Sequence, residues 1–250
     1  YGLGDAIEAI THGERALQDA MQAGDDKLRA RIIAALGEAH CATADYDKAL
    51  PLLDQAIAVK RQHRSGRHSN VGLCFSLVCR ACVLGDRGQF VLAHECFDEA
   101  IDGLHGLTHE VGATAHGWRS AVLLWQGRWP EARVAADRSA HIAEATRSLV
   151  QLQIARAISA YAGWMIERQP SYLETIARVT TWTDPHENWL YRSLNYGWLA
   201  DGFTDLGRLA EARSHAACAL RRGRQRDLIG VAPSTAKSSR RRAALYRTGF

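Results

Sequence analysis

The sequence predicts an all-α protein, an α-solenoid of about six antiparallel helix pairs stacked in line. Three observations carry this reading. A short residue frame recurs at roughly 40-residue intervals. Apolar residues between the copies keep three- and four-residue spacing, the mark of one-sided helices. Alanine and leucine, both good helix formers, dominate a chain with only five prolines and five phenylalanines, which argues against a strand-rich sandwich.

The frame is clearest at Gly88-Gln89-Phe90, followed by Ala93, Phe97, Ala100 and Ile101. It recurs at Ala44-Asp45-Tyr46 with Ala49, Leu53, Ala56 and Ile57, and at Gly127-Arg128-Trp129 with Ala132, Ala136, Ser139 and Ala140. Gly207-Arg208-Leu209 with Ala212, Ala216, Ala219 and Leu220 repeats it, and a truncated copy with Gly4, Ala6, Ala9, Ala16 and Leu17 opens the chain. The bulky position is therefore held by Ala6, Tyr46, Phe90, Trp129 and Leu209, at spacings of 40, 44, 39 and 80. The last gap spans two periods, so a degenerate copy is expected near Tyr172, Val179 and Trp182.

Each part of the frame has a physical role. The glycine lets one helix end in a left-handed turn. The bulky residue opens the next helix and packs back on the first. Alanines three and seven residues on share a face and let two helices approach closely. Partner helices are expected upstream of each turn, over 29–43, 72–84, 113–126, 149–167 and 189–206. Polar connectors are expected over 62–70, 103–112 and 183–188. Pro130 falls in a first helical turn, where its missing N–H costs little, whereas Pro51 lies deeper and should bend its helix slightly.

The Gly-x-aromatic-x-x-Ala frame resembles the tetratricopeptide repeat. Gly37 and Gly163 match that family's small residue where the two helices of a unit cross. The resemblance covers about residues 1–225, implies a right-handed superhelix, and leaves residues 226–250 as a basic capping helix or tail. Repeats of this longer period also resemble the C-terminal regions of large bacterial signalling proteins, in which an ATPase module, sometimes with a nucleotide cyclase, precedes the array. The run from Leu199 to Ala212 is particularly similar. Tyr1 enters a helical pattern part-way through a unit, so the chain is expected to be a portion of such a protein. It contains no Gly-x-x-x-x-Gly-Lys-Ser/Thr loop and no cyclase motif, so the resemblance implies a non-enzymatic, cofactor-free module.

Function must then come from surfaces. No apolar run approaches the ~20 residues a membrane helix needs, and no secretion signal opens the chain; a cytoplasmic protein without membrane contacts is expected. The six cysteines read as small buried thiols, including Cys79 and Cys82, whose spacing alone would suit a zinc half-site. His105, His109 and His116 lack the glutamate context of a metal motif and suit solvent-facing or capping roles. All seven tryptophans lie between Trp118 and Trp198. Trp125 and Trp164, with Arg168, Asp201 and Asp205, are expected on the concave face, where aromatics amid charges suit a protein or peptide partner, or catalytic domains of the same parent chain.

The C-terminus differs in charge. Residues 221–250 hold nine basic residues, among them Arg221, Arg222, Arg224, Arg226, Arg240, Arg241 and Arg242, and one acid, Asp227, for a net of +8. Residues 1–220 hold 22 basic and 26 acidic residues, a net of −4. A solvated cap explains such a segment, and so does an electrostatic site for nucleic acid in a transcriptional regulator.

Overall fold

The structure, a computed structural model, describes residues 6–62, 67–183 and 189–224. The described residues form α1 (Ala6–Gln22), α2 (Asp26–Ala42), α3 (Tyr46–Gln62), α4 (Arg67–Asp86), α5 (Phe90–Gly103), α6 (Glu110–Trp125), α7 (Trp129–Ala145), α8 (Leu149–Glu167), α9 (Pro170–Thr183), α10 (Trp189–Asp205) and α11 (Leu209–Arg224). No strand occurs among them. The bulky frame residues Tyr46, Phe90, Trp129 and Leu209 each begin a helix, and the degenerate copy is α9, with Tyr172 in its first turn. Helix α4 starts earlier than the apolar pattern alone indicates, because Arg67, His68 and Ser69 continue it into the polar connector.

The turns repeat one hydrogen-bond scheme. Gly88, Gly127 and Gly207 have φ of 78°, 76° and 72°. In each case the next residue reaches back to the preceding helix: Gln89 N–H to Leu84 O at 2.8 Å, Arg128 N–H to Leu123 O at 3.0 Å, and Arg208 N–H to Phe203 O at 2.9 Å. This six-to-one bond satisfies a carbonyl that the helix end would otherwise leave open. Ala44 and Arg147 take the same role at φ 60° and 56°, although a Cβ disfavours that region. Pro130 lies in the first turn of α7, and Pro51 is accommodated inside an unbroken α3.

Packing divides the helices into two rows. Pairs α2–α3, α4–α5, α6–α7, α8–α9 and α10–α11 each fold back on themselves, and every helix also meets the next in sequence. The even-numbered helices α2, α4, α6, α8 and α10 additionally pack against one another in order. No comparable packing joins successive odd-numbered helices among the described residues. The even helices thus form the closely spaced inner row and the odd helices the splayed outer one, the geometry of a curved array.

The two larger apolar cores run along the stack. One joins Leu73, Leu77, Val78 and Phe97 around α4 and α5; the other joins Ile158, Trp164, Ile176, Leu194 and Leu199 around α8–α10. Trp118 and Trp125 of α6 pack against both and weld them together. Ala49, Ala93, Ala132 and Ala136 are fully buried, as expected of residues that set a close helix approach.

Since the left-handed turn is intrinsically costly for alanine, Ala44→Gly should stabilise the fold by roughly 1 kcal/mol. Urea denaturation will show this as a higher midpoint at unchanged slope. Gly127→Ala should shift the midpoint the other way.

Candidate functional site

Where α8 meets α10 the inner row carries a linked set of polar side chains. Tyr161 and Asp201 lie one period apart, and the Tyr161 hydroxyl donates to Asp201 Oδ2 at 3.2 Å. The Tyr161 ring stacks on Trp198, with centroids 5.0 Å apart and planes 13° from parallel. Two turns further along α8 and one turn further along α10, Arg168 donates to the Asp205 carboxylate. Arg168 reaches this point because it ends α8 in a left-handed conformation, φ 57°, with its N–H on Trp164 O. Its guanidinium lies 5.5 Å from the Trp164 ring centroid, a cation–π arrangement.

Four of the five concave-face residues expected from the sequence are therefore brought together: Trp164, Arg168, Asp201 and Asp205. Trp164 needs correction as a contact residue, because it is only 1% exposed. Its ring belongs to the apolar cluster around α8–α10, and Arg168 closes over it. Trp164 is a core residue that supports the face from beneath. Trp125 is separate, half-buried at the C-terminal end of α6, beside Gly85 of α4. Tyr161 and Trp198 escaped the sequence reading as a pair; their signal is an aromatic recurring about one period along.

A second polar group lies at the other end of the row. Lys60 of α3 donates to Ser76 Oγ at 2.8 Å and to Gly72 O at 3.0 Å, and Ser76 donates to Glu38 Oε1 at 3.3 Å. Burial raises the Glu38 carboxyl above its ordinary value and lowers the Lys60 ammonium, each countered by the opposite charge of the other. This network ties α2, α3 and α4 together.

The remaining candidates divide in the same way. His109 caps α6, its Nδ1 accepting from Val111 N–H at 3.1 Å. His116 lies two turns inside α6, where it neither caps a helix end nor faces solvent freely, and burial beside Arg138 and Arg119 holds its pKa down at about 4. Cys82 and Cys96 are buried in the α4–α5 core, and Arg80 donates to Cys96 Sγ at 2.9 Å. Among the described residues, no group of three or more His, Cys, Asp or Glu side chains is placed to hold a metal. Arg221 is exposed on α11, where it donates to Cys218 Sγ at 3.1 Å. Arg222 and Arg224 belong to α11, while Arg226, Arg240, Arg241 and Arg242 lie outside the described residues. No described helix is long and apolar enough to cross a membrane.

Geometry and fold define the class: a helical repeat array that presents side chains on a continuous inner row. Comparison with known proteins agrees. Residues 1–62 match the tetratricopeptide repeat family model. BtubC (BKLC) from P. vanneervenii has a similar structure, with a TM-score of 0.62 at 13% identity, over 88% of this chain and 91% of that one. The nearly identical TPR-like repeats assigned to a kinesin light chain of Podosopora anserina align with a TM-score of 0.53 at 17% identity, over 78% of this chain and 94% of theirs. A point-substituted form of those repeats gives a TM-score of 0.54 at 16% identity, over the same shares of the two chains. At such identities the likeness speaks for the fold, a TPR-like solenoid. No curated protein matches the chain.

Two outcomes test these assignments. Removing a fully buried indole leaves a cavity, so Trp164→Ala should cost about 3–5 kcal/mol in chemical denaturation, where a surface tryptophan would cost little. His116 is neutral in the fold but protonates near 6.5 when unfolded, so stability should fall as pH drops from about 6.5 to about 4. His116→Gln should flatten that part of the stability–pH curve.

Proposed function

We propose that the chain is a protein-binding scaffold module that receives a segment of a partner on the inner row between α6 and α10. It acts by binding and not by chemistry. The observation that carries this reading is the inner row itself: five helices packed side by side, with Trp125 half-exposed and Arg168, Asp201 and Asp205 fixed at the surface by core aromatics. Preorganised polar groups over a rigid apolar floor lose little entropy when a partner docks. A half-buried tryptophan adds contact area at small further cost.

The similarity of residues 199–212 to repeats of bacterial signalling proteins supports a finer reading. In it, the module is the docking or sensing region of a larger signalling chain in the cytoplasm, and one partner is that chain's own catalytic part. The resemblance of the whole array to protein-interaction repeats fits this role.

Panning the full chain against a random peptide library should yield peptides whose affinity, measured by calorimetry, falls about tenfold with Trp125→Ala or with Asp201→Ala. Helical circular dichroism should stay unchanged in both variants. Peptides that bind both variants as tightly as the parent would refute the inner-row assignment.

A further inference from the structure

The outer side of the array carries its own repeating device. The residue eight positions after each bulky frame residue is an aspartate in three successive units: Asp54 after Tyr46, Asp98 after Phe90 and Asp137 after Trp129. In the first two units an arginine of the next even-numbered helix fills the space beside it. Arg80 of α4 donates from Nε to Asp54 Oδ1 at 2.6 Å, and Arg119 of α6 donates from Nη1 to Asp98 Oδ1 at 2.6 Å. In the third unit no arginine pairs with the aspartate among the described residues; Ser159 of α8, about one turn earlier in the frame than Arg80 and Arg119, donates from its hydroxyl to Asp137 Oδ1 at 2.7 Å.

A serine is several atoms shorter than an arginine, and the structure shows the consequence. A pocket of about 220 Å³ opens at this place, lined by Asp137, Ala155, Ser159, Ala160, Tyr172 and Thr175 among others. The cations around it are engaged elsewhere. Arg156 on the rim pairs with Glu144 at 3.4 Å, and Arg133, which lies over the Tyr172 ring, pairs with Glu167 at 2.6 Å. Arg138 adjoins His116 on the side of the preceding unit. No ion pair reaches Asp137 among the described residues, although Asp54 and Asp98 each have one.

We propose that this pocket receives an arginine side chain from a partner protein, which takes the place that Arg80 and Arg119 occupy in the two preceding units. Small side chains, Ala155 and Ala160, leave room for the aliphatic stem. The Asp137 carboxylate accepts from the guanidinium, and Tyr172, whose ring already carries Arg133, borders the pocket on the α9 side. The requirement is for a flat, forked cation; a neutral isostere cannot complete the pair. This site lies on the outer side of α8 and is independent of the inner-row reading, which stands whether or not the pocket binds.

The test is an NMR titration of the full chain with N-acetyl-arginine amide, and with N-acetyl-citrulline amide as the neutral isostere. The arginine compound should shift the amides of Ala155, Ser159 and Thr175 and bind roughly tenfold more tightly than the citrulline compound. Asp137→Asn should weaken it by a similar factor. Ser159→Arg should abolish binding while leaving the thermal midpoint equal or higher, because it restores the pairing of the other units; if that variant fails to fold, Asp137→Asn and the citrulline comparison still decide. Equal affinity for both compounds, or shifts that avoid the lining residues, would overturn the proposal. The full chain with Arg226, Arg240, Arg241, Arg242 and Arg247 all changed to Gln distinguishes the source of the arginine. Unchanged affinity in it supports a partner, whereas a several-fold gain would show that the chain's own C-terminal segment competes for the pocket and would overturn the assignment to a partner.

Discussion

Leu53 of α3 lies so close to Gly37 of α2 that a Cβ on the glycine would stand 3.0 Å from Leu53 Cγ and 3.1 Å from its backbone nitrogen. The same exchange of a bulky side chain against a missing one recurs between Tyr172 of α9 and Gly163 of α8, and between Leu173 of α9 and Gly202 of α10. Because the two backbones approach this closely, the odd-numbered helix is held at a fixed angle over its even-numbered neighbour. The next even helix then has room to pack against the last one. The inner row, and with it every candidate contact residue, depends on that approach.

Much of this geometry is legible in the sequence because it is local. A glycine at a left-handed turn, a bulky residue two positions on and an alanine three beyond that are enforced within one helix pair, so they leave a periodic trace. Helix α8 spans Leu149–Glu167, the same span its apolar spacing indicates. The degenerate copy is also legible, since the double-length gap before Leu209 demands a unit and Tyr172 fills it. Ala44 shows where the pattern gives way: the turn persists with φ 60° although the residue is not a glycine.

Contacts between units leave a weaker trace. Trp164 lies about one turn before the end of α8 and is buried, whereas Trp125 ends α6 and is half-exposed. Trp164 belongs to a cluster that also holds Ile176 of α9 and Trp198 and Leu199 of α10. No local spacing encodes that. The same applies to Asp137, whose neighbour is known only once α7 and α8 are laid side by side. When they are, Asp137 faces the Ser159 hydroxyl, where Asp54 and Asp98 each meet an arginine.

An array built from nearest-neighbour contacts makes a distinctive demand on stability: damage in one unit should weaken its neighbours first. Native-state hydrogen exchange of the Gly37→Val variant tests this most directly, because the added side chain forces α2 and α3 apart without touching any other crossing. Protection should fall in α2, α3 and α4 while α7 and α8 keep theirs. An equal loss of protection in all helices, or none in α2 and α3, would contradict the account.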